Sequence, residues 1–145
     1  MDPIVLKEYS SEKRFILYEA AAYTELCGDM VVFRAMGGMF AGPSVDLIFL
    51  GIGYFELPNQ LNGFRVSKPC DQQAVEFSEA MLPGYEEKRV YAVESNGKRF
   101  HVAGGKCWVF EYSQPQRSSA LNALNDLSNR DAYFERYVRA WYSLG

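Results

Sequence analysis

The chain has 145 residues and a formal charge of -3, from 15 basic and 18 acidic side chains. That length suits one compact domain, residues 1-145, with a hydrophobic core that needs neither a metal nor a disulfide. Neither charge sign gathers into a run, which excludes the basic stripe that tight binding to a nucleic-acid backbone requires.

The first residues, MDPIVLKEYSSEKR, begin acidic and lack a long apolar core before their charges, so they do not resemble a signal peptide. Ile4 to Tyr9 reads as a short opening strand. From Ser11 the segment SEKRFILYEAAAYTELCG repeats Phe15, Tyr18, Ala22 and Leu26 at helical spacing, with Gly28 placed as a C′ glycine. A helix over 12-27 is the favoured expectation, and a strand built on RFILY is its competitor because of the aromatic and β-branched content. Met30 to Ala35 is an apolar strand that ends in Gly37-Gly38. The following MGGMFAGP lacks the Lys-Ser/Thr ending of a phosphate-gripping loop and reads as an irregular turn.

Val45 to Leu57 is apolar on both faces, with Val45, Leu47 and Phe49 on one and Ile48, Leu50, Ile52 and Tyr54 on the other. This predicts a central strand covered on both sides and bent near Gly51 and Gly53, with Asp46 and Glu56 marking its wet ends. The stretch is too short to cross a membrane as a helix. Asn62-Gly63 reads as a turn before the returning strand Phe64 to Lys68. Residues 71-81 fit a strand centred on AVEFS or a short helix.

The firmest local signal is Arg89 to Ser113, a three-stranded meander with Asn96-Gly97 and Gly104-Gly105 at its turns. Its register places Glu94 opposite Arg99, Val93 opposite Phe100 and Tyr91 opposite Val102. Across the second turn it places Val102 opposite Cys107, Phe100 opposite Val109 and Lys98 opposite Glu111. One face carries Tyr91, Val93, Phe100, Val102, Cys107 and Val109 and belongs in a core. The other sets His101 beside Trp108 and Arg99 beside Phe110, and needs a cover or a ligand. After SQPQRSS, Leu121, Leu124 and Leu127 suggest a short helix. A second helix from about Asn129 bears Tyr133, Phe134, Tyr137, Val138 and Trp141 as an aromatic stripe, with Glu135 and Arg139 as an i,i+4 pair. The stripe laid over the sheet gives an α+β fold, mainly antiparallel β-sheet with helices packed on one face, the aromatic C-terminal helix among them.

Chemistry is sparse by comparison. His101 is the lone histidine, and the cysteines Cys27, Cys70 and Cys107 are dispersed, so no metal site and no cofactor is expected. Buried thiols in a reducing, cytoplasmic setting are the expected state of the cysteines. Cys107 alternates away from His101, which argues against a Cys/His dyad. The candidate ligand or partner contacts are Arg99, His101, Trp108 and Tyr112, while no catalytic residue is assigned. These features favour a small soluble, non-enzymatic interaction or accessory domain that binds a protein partner or self-associates, with no nucleic acid and no membrane as partner. The alternative is a small-molecule-binding or enzymatic domain with a pocket between sheet and helix near His101.

Overall fold

The computed structural model describes residues 2-23, 28-35, 44-69, 76, 89-113 and 130-145. Its strands are β1 (Ile4–Leu6), β2 (Glu8–Tyr23), β3 (Gly28–Ala35), β4 (Val45–Leu50), β5 (Tyr54–Phe55), β6 (Gln60–Ser67), β7 (Arg89–Ser95), β8 (Lys98–Gly104), β9 (Lys106–Tyr112) and β10 (Val138–Leu144). One described helix, α1 (Arg130–Tyr137), precedes β10 and carries Tyr133, Phe134 and Tyr137. The fold is α+β, dominated by an antiparallel sheet with an aromatic C-terminal helix, and among the described strands only the β1–β10 pairing is parallel.

The ten described strands run in the order β1-β10-β9-β4-β3-β2-β6-β7-β8-β5. The sheet folds over on itself at β2, whose first half pairs with β6 and whose second half pairs with β3. Two register shifts along β2, at Ser11/Arg14 and Leu17/Glu19, give the strand the extra bend and twist that this double pairing requires. The apolar core lies inside the fold, where Leu47, Phe49, Cys107 and Val109 of one layer meet Leu61, Val66, Tyr91, Val93 and Val102 of the other. A second apolar cluster lies outside the first layer. There Phe134 of α1 packs with Met30, Val32, Ile48, Phe110, Tyr112, Val138 and Trp141.

The expected helix over 12-27 is instead the strand β2 as far as Tyr23, and residues 24-27 lie outside the described residues. Phe15 is buried while Ile16 and Tyr18 are 47% and 43% exposed, so the period is two rather than 3.6 in this stretch. Branched and aromatic side chains suit a pleated surface, and two neighbouring strands satisfy the backbone on both edges.

The first half of the meander forms as expected, with Glu94 paired to Arg99, Val93 to Phe100 and Tyr91 to Val102. Asn96 and Gly97 both take positive φ, 56° and 71°, as a two-residue hairpin of this kind requires. The second half does not form. β9 pairs with β4 and β10, while β8 pairs with β7 and β5, so Val102 does not meet Cys107 and Lys98 does not meet Glu111. Neither Gly104 nor Gly105 has the positive φ of a hairpin turn. A Cβ on Gly104 would stand 3.1 Å from the Leu50 carbonyl oxygen, which accepts a 2.9 Å hydrogen bond from the Gly105 N–H. The glycine pair thus permits close backbone contact where the chain changes layer. The alternation survives the crossing, and Cys107 and Val109 still point into the core.

Asn62-Gly63 is likewise not a turn, because β6 continues through both residues. Gly63 has φ 74° opposite the irregularity in β2, and a Cβ there would lie 3.3 Å from the Ser11 carbonyl oxygen. Of the pair only Gly63 takes positive φ, and a bulge uses it instead of a hairpin. The segment Val45 to Leu57 bends at Gly51, φ 63°, and crosses from fully buried β4 to β5 in the other layer. The C-terminal helix ends at Tyr137, and Val138 to Leu144 become β10. Arg139 therefore reaches Glu111 at 3.1 Å from a strand instead of pairing with Glu135 along a helix. The glycine-rich turn MGGMFAGP, the 71-81 segment apart from Glu76, and the expected helix on Leu121 to Leu127 fall outside the described residues.

Asp46 is not a wet strand end. It is fully buried and accepts bonds of 2.6 and 2.9 Å from the Arg34 fork and one of 2.6 Å from the Tyr112 hydroxyl. Arg34 and Asp46 are direct cross-strand partners, and the Tyr18 ring lies 4.0 Å from the guanidinium carbon. Burial pulls Arg34 towards its neutral form, but the hydrogen bonds and charge of Asp46 outweigh that and hold its pKa above the ordinary value. Removing one partner leaves a buried unpaired charge. Asp46→Ala is expected to lower stability by about 3–5 kcal/mol in urea unfolding, and the apolar double replacement Arg34→Met/Asp46→Leu to recover most of that loss.

Candidate functional site

The four sequence-derived candidates do not share one surface. Arg99 and His101 lie on β8, whereas Trp108 and Tyr112 lie on β9 in the other layer, with the interior core between them. His101 pairs with Ala92 of β7 and Trp108 with Ile48 of β4 and Ser143 of β10, so the expected contact between them is not made. The misassigned hairpin at Gly104-Gly105 accounts for the difference.

His101 sits beside the short edge strand β5, with its side chain 26% exposed. One oxygen of Glu56 accepts the His101 backbone N–H at 2.7 Å and lies 3.6 Å from Nδ1. The other accepts the Tyr54 hydroxyl at 2.6 Å. That hydrogen bond, with lesser contributions from burial and the carboxylate charge, raises the Tyr54 pKa. Glu56 is therefore committed to fastening the β5 end to β8, a poor arrangement for a general base. Tyr112 is fully buried and serves Asp46. Trp108 is half-buried, with Trp141 edge-on at 5.2 Å and the Lys106 ammonium 4.9 Å from its ring centre.

Arg99 belongs to a groove that the sequence did not disclose. The groove measures about 540 Å³ and is lined by Asn62, Arg65, Glu94, Asn96, Lys98 and Arg99 together with Gly63, Phe64, Ser95 and Gly97. Its base is tied down by side-chain-to-backbone bonds. The Asn96 side chain accepts the Asn62 N–H and donates to the Gln60 carbonyl, each at 3.0 Å, while the Ser95 hydroxyl donates to the Gly63 carbonyl at 2.5 Å. These bonds hold the hairpin against the bulged part of β6. Above them Glu94 lies 2.7 Å from Arg65 and 3.7 Å from Arg99. The groove thus carries three cationic side chains and one carboxylate on a chain of net charge -3.

Its residues were hidden in the sequence because Arg65 reaches Glu94 only through the β6–β7 pairing, which the Asn62-Gly63 signal obscured. Arg34 and Asp46 had a clearer signature: opposite charges inside adjacent apolar strands at facing positions.

Among the described residues no group of three or more His, Cys, Asp or Glu could hold a metal ion, and no helix is long and apolar enough to cross a membrane. No protein-family model matches the chain, and no curated protein or solved structure is significantly similar to it.

Cys107 is fully buried in the interior core, and burial pushes its thiol pKa far up. The neutral thiol is the form that a nucleophilic role does not use. With Cys27→Ser and Cys70→Ser in place, the remaining Cys107 is expected to resist a thiol-specific disulfide reagent while folded and to react promptly in denaturant. Rapid native modification would contradict this reading.

Proposed function

We propose that this chain is a non-catalytic interaction domain that takes an acidic segment of a protein partner into the groove between Asn62–Arg65 and Glu94–Arg99. The supporting observation is the local excess of Arg65, Lys98 and Arg99 over Glu94 in a chain whose overall charge is negative. Guanidinium groups present paired N–H donors that match carboxylates. Arg65 and Arg99 already share Glu94, so their heads are directed to one place before a partner arrives. The bonds from Ser95 and Asn96 to β6 keep the groove floor fixed, which limits the ordering cost of association.

Titrating the isotope-labelled protein with an Asp/Glu-rich peptide tests this by amide chemical shifts. Changes are expected at residues 62–65 and 94–99, weakening with added salt and at least about tenfold weaker in Arg65→Gln/Arg99→Gln. Equal binding by the double variant, or tighter binding of a single-stranded oligonucleotide, would refute the proposal. His101→Ala serves as a control outside the groove and should bind as the parent does.

Self-association is a second reading, favoured by one observation. On β1, at one end of the described sheet order, Ile4 and Val5 are 56% and 69% exposed. An open strand edge with apolar side chains favours pairing with another chain. Light scattering at micromolar concentration should then show a dimer that Val5→Lys dissociates, and a monomer at every concentration would rule this reading out.

A further inference from the structure

We propose that the seam between α1, β9 and β10 is a binding site for a small organic carboxylate, independent of the cationic groove. The carboxylate accepts hydrogen bonds from Arg130 Nε and the Trp141 indole N–H, and the apolar body of the ligand lies against Trp108.

The inference rests on two donors without acceptors. Among the described residues, Arg130 Nε and Trp141 Nε1 are both buried and have no hydrogen-bond partner, and Trp141 is only 4% exposed. Neither side chain can accept a hydrogen bond, so neither can satisfy the other. A buried donor left unpaired keeps its full desolvation cost, which is larger for a charged group. The two side chains are adjacent, with the Arg130 guanidinium carbon over the Trp141 ring at 5.7 Å from its centre and 5.6 Å from that of Phe134. The missing partner is therefore an acceptor, and a negatively charged one answers the guanidinium best.

The surroundings specify the rest of the molecule. Phe134 and Phe110 lie against Trp141 with ring centres 5.5 and 5.3 Å away, and Trp108 meets it edge-on. These rings suit an apolar body, which a bare inorganic anion lacks. Trp108 and Arg130 are half-buried and Lys106 is exposed, so the seam reaches solvent on their side. Lys106, near the Trp108 ring, adds a second positive charge to the approach. Arg130 is held here by ring faces, and its long side chain can shift to admit the ligand.

The two tryptophans of the sequence are Trp108 and Trp141, so intrinsic tryptophan emission reports on this seam directly. The test is a titration with phenylacetate at constant ionic strength, with phenylacetamide as its neutral counterpart and sulfate as an anion without an apolar body. A saturable emission change is expected for phenylacetate with a midpoint of order 1 mM, at least about tenfold weaker for the amide and for sulfate. Arg130→Met should abolish the response while far-UV circular dichroism stays unchanged. If that variant does not fold, Trp141→Phe removes the N–H but keeps an aromatic ring, and should weaken binding several-fold as read from Trp108 emission. Equal affinity for acid and amide, full affinity in the variant tested, or no saturable change with phenylacetate would each overturn the proposal.

Discussion

The structure depends on the double pairing of β2. Its Glu8–Ile16 half hydrogen-bonds to β6 and its Ile16–Tyr23 half to β3, so one strand belongs to both layers. This continuity lets one sheet close over an interior of Phe33, Leu47, Phe49, Tyr91, Val93 and Val102. The bulges along β2, the positive-φ Gly63 opposite one of them and the tight approach of Gly104 to Leu50 all accommodate the resulting bend. A backbone constraint of this kind places the side chains of both candidate surfaces.

Those surfaces face away from each other for the same reason. The cationic groove belongs to the β6–β7–β8 layer, while Arg130, Trp108 and Trp141 lie outside the layer of β9 and β10. Between them runs the apolar interior cluster, and the buried Arg34–Asp46 pair sits with the outer cluster instead. The ion pair is aimed by geometry: both oxygens of Asp46 are taken by the Arg34 fork, and one also by Tyr112. Its orientation fixes the register between β3 and β4, because a slip of one residue would leave both charges unpaired in an apolar setting.

Alternation of side chains was legible in the sequence where strand partners were not. Tyr91, Val93, Val102, Cys107 and Val109 all face inward as their period-two pattern indicates. The pairing between β8 and β9 failed because Gly104-Gly105 permits two outcomes, a positive-φ turn or close backbone contact, and only the position of Leu50 decides between them. Asn62-Gly63 is the same ambiguity, resolved by β2 as a bulge. In β2 the helical spacing would put Phe15 and Tyr18 on one face, whereas the strand puts them on opposite faces, and pairing on both edges settled the matter. Arg99 was read correctly as facing Glu94, yet the groove also needs Arg65 from a strand whose partner the sequence did not reveal. His101 and Trp108 were joined through the expected β8–β9 pairing, and they are parted because β9 pairs with β4 and β10 instead.

The parallel pairing of Ile4–Leu6 with Tyr142–Leu144 bears on how the chain acquires its structure. The hairpin of β7 and β8 closes over two residues and can form from local sequence alone, whereas β1 must wait for a strand more than a hundred positions later. Pairings of such separation carry a large loop-closure cost and slow folding. On the ribosome, β9 gains β10 as its second neighbour only after nearly all of the described chain has been made. Until then its outer edge stays open, and Phe110 and Trp108 lack the cover that Trp141 provides. The aromatic surface of β9 is therefore covered late, by residues that are made after it.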